Sequence, residues 1–221
     1  GDYRLIVLAP HTVEEFASLV MDGFDLADRY RNPAMILADG RLGQMMEPVK
    51  FPEPSKEELP EKDYILTGAK GREQRIVRSF FIAPPDAIHQ LALKRQAKYD
   101  KIKRNEVRFE ERDVEDADVV CVAYGTAARL CMQAMREAAT SGLKLGLIRP
   151  ITLWPFPTDL IAARTAEGKR FLVVEMSAGQ MVEDVRLAVK GRAPVGFVGR
   201  CGSGVPPLEE VLIAAKALAE E

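Results

Sequence analysis

The chain opens with an unbroken apolar run. Residues 3–9 (YRLIVLA) carry β-branched side chains with little polar interruption, the pattern of a buried strand. Pro10 ends the run. Thr12 stands three residues before Glu15, the capping-box spacing in which each side chain satisfies a free backbone N–H. Phe16, Leu19, Val20, Gly23, Phe24, Ala27 and Tyr30 then recur at helical spacing as one apolar stripe. Asn32-Pro33 breaks the helix, Ala34–Ala38 (AMILA) reads as a second strand, and Asp39-Gly40 as its closing turn. This is one β-α-β unit, with parallel strands and a right-handed crossover. Two parallel strands and one helix do not cover both faces of a sheet. Residues 1–50 are therefore expected to be the closing part of a larger α/β domain, and to expose an apolar edge or face.

The pattern then dissolves. Residues 47–85 are rich in proline and charge, with strand-like Tyr64–Thr67 and Ile76–Ile82, and 51–115 read as a long linker. It contains a helix at 86–105, whose apolar stripe is Ile88, Leu91, Ala92, Tyr99 and Ile102. The polar side of that helix is cationic: Lys94, Arg95, Lys98, Lys101, Lys103 and Arg104. A solvated face is favoured over a patch for nucleic acid or an acidic partner, because Glu106, Glu110 and Glu111 follow at once. From Asp118 the pattern is regular. Strands Asp118–Ala123, Lys144–Arg149, Arg170–Glu175 and Val195–Val198 are each followed by a helix. Residues 116–221 thus read as a complete doubly wound α/β domain with a mainly parallel sheet.

Composition narrows the classes. The 221 residues are 47% hydrophobic and 29% charged, enough for one large or two small domains. A net charge of −2 gives no overall field toward nucleic acid or a membrane surface. No apolar run approaches the ~18 residues of a membrane-spanning helix. The N-terminus shows neither a signal-peptide pattern nor an initiator Met, and the chain is expected to be part of a longer or processed cytoplasmic polypeptide. Cys121, Cys131 and Cys201 are widely spaced with no CxxC, so reduced thiols are favoured over a zinc or iron–sulfur site.

In a doubly wound sheet, ligands and partners meet the loops at the C-terminal strand ends. Gly125-Thr126 opens a helix whose free N–H groups suit a phosphate or carboxylate, with plain capping favoured. The run from Arg149 through Trp154 to Pro157 (RPITLWPFP) is stiffened by three prolines and suits a subunit interface, or a cover for the strand ends. Glu175 places a carboxylate at a strand end before a small-residue turn ending at Gln180. Arg200 lies in a Gly-rich turn that lacks the dinucleotide spacing. Gly68-Ala-Lys-Gly lacks the phosphate-loop frame, and His11 has no nucleophile motif beside it. Gly125, Thr126, Arg149, Trp154, Glu175, Gln180 and Arg200 are the candidate interface or cofactor-facing residues, and no catalytic or metal-binding residue is assigned.

A family resemblance adds to this reading. YGTAARLCMQAMREAATSGLKLGLIRPITLWPFP followed by FLVVEMSAGQMVEDVRLAV resembles the C-terminal domain shared by transketolases, the pyruvate dehydrogenase β subunit and the pyruvate:ferredoxin oxidoreductase group. The stretch from GDYRLIVLAPH to LGQMMEPV, together with ILTGAKGRE and RPITLWPFP, resembles the α subunit of 2-oxoacid:ferredoxin oxidoreductases, especially the 2-oxoisovalerate (branched-chain) type. The resemblance implies oxidative decarboxylation of a 2-oxoacid on thiamine diphosphate with Mg²⁺. Electrons would pass through [4Fe–4S] clusters to ferredoxin, and coenzyme A would take the acyl group. It implies partner subunits: a β subunit that binds thiamine diphosphate, a γ subunit and a ferredoxin-like δ subunit. It also implies that the activating glutamate and the substrate-side residues precede the stretch beginning at Gly1, so these residues alone are expected to bind no cofactor and to be inactive. The alternatives are a subunit of another thiamine enzyme, transketolase-like or pyruvate dehydrogenase β-like, and a non-enzymatic assembly module.

Overall fold

The computed structural model describes residues 2–53, 55, 58–62, 64–73, 84–202 and 204–220. Strands β1 (Ile6–Leu8) and β2 (Ala34–Ile36) lie parallel, joined by helix α1 (Val13–Tyr30). The Thr12 hydroxyl accepts the Glu15 N–H at 3.1 Å and starts the helix. The return half of the capping box is displaced by one residue: the Glu15 carboxylate takes the N–H of His11 at 2.8 Å, not that of Thr12. Arg31, in the left-handed region at φ 44°, closes the helix by donating its N–H to Ala27 and Asp28 carbonyls. Leu19, Leu26 and Tyr30 of α1 pack with Ile6 and Leu8 of the sheet. Tyr99 and Ile102 of helix α2 (Pro85–Asn105) complete that core.

The linker reading of residues 51–115 missed strand β3 (Phe109–Arg112). It runs antiparallel to β5 (Leu145–Pro150) and forms one edge of a second sheet, of order β3-β5-β4-β7-β8, with β4 (Val119–Val122), β7 (Arg170–Glu175) and β8 (Val195–Gly199). The pairs β4–β5, β4–β7 and β7–β8 are parallel. Alternation along the buried strand β4 sends Val119 and Cys121 to one face and Val120 and Val122 to the other. Helices α3 (Gly125–Thr140) and α6 (Leu208–Ala219) cover the first face. Helices α4 (Thr158–Ala166) and α5 (Met181–Val189) cover the second. This is a doubly wound α/β sheet with both faces covered.

The stretch after β5 is not only a proline-stiffened loop. Its residues Thr152–Trp154 form strand β6, which leaves the second sheet and pairs antiparallel with β1. The first sheet therefore has three strands, β2-β1-β6, and its third strand comes from the far side of the chain. Tyr64–Thr67 forms no strand, and Ile76–Ile82 lies outside the described residues.

Candidate functional site

The C-terminal ends of β1 and β2 face the C-terminal ends of β4 and β5, and side chains from both sheets join there. Arg149, at the end of β5, is 3% exposed. Its guanidinium donates to both Glu15 oxygens at 2.9 and 3.1 Å, and to Glu110 of β3 at 2.8–2.9 Å. Glu110 also takes the Arg112 guanidinium. The fork geometry of arginine allows one cation to hold two carboxylates from different elements. His11 Nδ1 lies 2.6 Å from the same Glu15 carboxylate. Burial pushes the Glu15 carboxyl up, but the His11 contacts and the Arg149 charge outweigh it and hold its pKa below the ordinary value.

A second link ends helix α3. Asp39 Oδ2 accepts the Thr126 N–H at 2.7 Å, Oδ1 accepts the Thr126 hydroxyl at 2.8 Å, and Oδ1 also accepts the Leu42 N–H at 2.9 Å. The anion at this helix N-terminus is thus a carboxylate from the first unit. Burial raises the Asp39 pKa, and these hydrogen bonds bring it below its usual value. Gly125 is required here: its φ is +58°, and a Cβ would stand 2.6 Å from Asp39 Oδ2. A third link joins Glu47 to Arg129 of α3 at 2.7 Å, while the other Glu47 oxygen accepts the Val13 N–H at 3.0 Å.

Glu175, at the end of β7, is 1% exposed. It accepts the Ser177 hydroxyl at 2.9 Å and the N–H groups of Gln180, Met181 and Val182 at 3.1, 3.2 and 2.9 Å. It caps helix α5 from below. Trp154 sits edge-on to Tyr99, ring centroids 5.6 Å apart, half-buried against the core of the first sheet. Gln180 and Arg200 are exposed at the outer strand ends, with Glu210 3.9 Å from Arg200. The structure thus brings Arg149, Gly125 and Thr126 together at the junction and leaves Gln180 and Arg200 outside it. Their junction partners Glu15, Asp39, Glu47, Glu110 and Arg129 were not singled out as site residues in the sequence. Asp39 had the one usable signal, a carboxylate at a strand end.

Residues 117–211 match the profile of pyruvate:ferredoxin oxidoreductase core domain II. Over its whole length the chain is 43% identical to ketoisovalerate oxidoreductase subunit VorB of Methanothermobacter marburgensis, covering 62% of that protein. It is 44% identical over 212 residues to the VorB subunit of Methanothermobacter thermautotrophicus, spanning 96% of this chain and 60% of that one. The 2-oxoglutarate:ferredoxin oxidoreductase from Magnetococcus marinus, solved with 2-oxoglutarate, coenzyme A and succinyl-CoA bound, shares the fold. Its TM-score is 0.73 at 23% identity, covering 99% of this chain and 43% of that chain. The chain is thus similar along its whole length to subunits of ketoisovalerate oxidoreductases. Its relatives of this VorB type are longer, and the chain spans 60–62% of their length.

The resemblance implies thiamine diphosphate, a metal ion and iron–sulfur clusters, and the residues described here do not fit them. The helix N-termini of α3 and α5 already hold Asp39 and Glu175 carboxylates, which a diphosphate would have to displace. Among the described residues no three His, Cys, Asp or Glu side chains converge as metal ligands. Cys121 and Cys131 are buried in a core and Cys201 is exposed elsewhere, which does not fit a cluster.

Proposed function

We propose that this chain is part of the α-type subunit of a 2-oxoacid:ferredoxin oxidoreductase that converts 2-oxoisovalerate to its acyl-CoA, with ferredoxin as electron acceptor. The observation that carries the substrate is a difference in identity: 43–44% to the two ketoisovalerate oxidoreductase subunits against 28–30% to the 2-oxoglutarate synthase subunits of the same two organisms. The enzyme works in the cytoplasm as a heteromer, with a β subunit that binds thiamine diphosphate, a γ subunit and a ferredoxin-like δ subunit.

In this reading the chain contributes scaffold and interface, in three parts: 1–50 as the closing part of the pyrimidine-side domain, 51–115 as the connection, and 116–221 as the transketolase-like domain. The buried junction fixes the strand-end loops of the two sheets against each other. Gln180 and Arg200, exposed at the outer strand ends, are left to meet a partner subunit. The test is reconstitution of the whole α-type subunit that carries these residues with its partner subunits, scored by 2-oxoacid- and coenzyme A-dependent reduction of a viologen dye. Turnover is expected only in the assembled enzyme, and none from these 221 residues alone. An assembled complex that reduces no acceptor with any 2-oxoacid would sink the proposal.

A further inference from the structure

A cavity of ≈ 940 Å³ lies between the end of α2 and the chain that follows β6. Its lining includes the cations Arg4, Lys103 and Arg104 and the aromatic side chains of Phe109, Trp154 and Phe156. Asp159 and Asp184 also line it. It opens beside the most cationic element of the chain. Helix α2 holds six Lys and Arg against two Asp, on a protein whose net charge is −2. The acidic residues that follow it in sequence do not neutralise it. Glu106 accepts the Tyr30 hydroxyl and pairs with Arg29 and Arg108. Glu110 is held by Arg149 and Arg112, and Glu111 by Arg164. Arg104 is exposed with no ion pair among the described residues, and Lys103 has only Asp100, at 3.8 Å. The contrast is sharp within the chain, where Arg149, Arg164, Arg129 and Arg108 each hold a carboxylate.

We propose that this cavity docks an acidic segment of another protein, seating an apolar side chain among Phe109, Trp154 and Phe156 and placing carboxylates on Lys103 and Arg104. Cations and aromatic side chains in one cavity suit a segment that carries both carboxylates and an apolar side chain. A nucleic acid is the poorer fit. Its phosphates recur at every nucleotide and would meet Asp159 and Asp184 as well as the cations, whereas a peptide can restrict its carboxylates to Lys103 and Arg104 and pass the two aspartates with neutral residues. This inference does not depend on which 2-oxoacid is the substrate.

Trp154 is the chain's single tryptophan, so its emission reports on the cavity directly. The experiment titrates the chain with a short glutamate-rich peptide carrying one central leucine, with the same peptide bearing glutamine for glutamate, and with a single-stranded DNA. Expected are a saturable change in Trp154 emission with the glutamate peptide, and affinity at least about fivefold weaker at ~300 mM than at ~50 mM salt. The double substitution Lys103→Glu with Arg104→Glu should weaken binding by at least about tenfold without moving the melting temperature, since both side chains are exposed. If that variant is unstable, Lys103→Gln with Arg104→Gln should still weaken binding severalfold. No saturable change, equal affinity for the glutamine peptide, unaltered affinity in the folded variants, or tighter binding of the DNA would each overturn the proposal.

Discussion

Arg149 holds Glu15 and Glu110 at once, so deleting it and replacing it have different expected consequences. Arg149→Ala takes from two half-buried carboxylates the cation they share, leaving Glu110 to Arg112 and Glu15 to His11, and should cost about 3–5 kcal/mol of unfolding free energy. Arg149→Met fills the volume but leaves the same charges, so its loss should be nearly as large. The double change Arg149→Met with Glu15→Gln should recover part of it. Urea denaturation of the three proteins decides this, and equal stability of Arg149→Ala and the parent would mean that the junction bears no load. The carboxylates also set a pH dependence. Glu15 and Asp39 have folded pKa values below their ordinary 4.5 and 3.8, so their contribution is fully present above those values. It is lost as pH falls through the lower folded values. The urea midpoint should therefore drop on acidification below about pH 4.5, and drop less steeply in Asp39→Asn. An identical acid slope in that variant would contradict the role given to Asp39.

The strand–helix pairs from β4 onward were legible in the sequence because β4, β5 and β7 are runs of buried apolar residues, broken by turn signals. Strands β3 and β6 were not legible, for physical reasons that differ. Strand β3 reads FEER; as a sheet edge it needs no alternating apolar face, and its two glutamates pair with Arg149 and Arg164. Strand β6 is three residues set in a proline-rich run, and only its pairing with β1, far away in sequence, makes it a strand. The junction partners escaped for the same reason: Glu15 and Arg149 are 134 residues apart, and no local pattern joins them. Thr152 shows how β6 is held. Its hydroxyl accepts the Arg108 N–H at 2.9 Å and donates to the Arg108 carbonyl at 3.2 Å, and the residue is fully buried. Thr152→Val keeps the shape and leaves that N–H unpaired, at an expected cost of about 1–3 kcal/mol. Faster amide hydrogen exchange in β6 and β1 together should accompany it; exchange confined to β6 would separate the strand from the sheet it is said to complete.

At the scale of the whole molecule, the first sheet takes its third strand from the chain that leaves the second, and a buried cation and two carboxylate links join them, so the two sheets are expected to unfold together. The same self-satisfied chemistry bears on the cofactor. With Asp39 and Glu175 already on the helix N-termini, these residues alone should bind thiamine diphosphate with Mg²⁺ no tighter than about 100 µM by calorimetry; micromolar binding would show that a site has been overlooked. The central claim is that the chain belongs to a branched-chain 2-oxoacid:ferredoxin oxidoreductase. The most direct measurement is kcat/KM of the assembled enzyme for 2-oxoisovalerate and for 2-oxoglutarate, followed by viologen reduction with coenzyme A present. The account predicts a ratio of at least about tenfold in favour of 2-oxoisovalerate, since a dicarboxylate places its second charge where the branched acid places methyl groups. A ratio in favour of 2-oxoglutarate would contradict it.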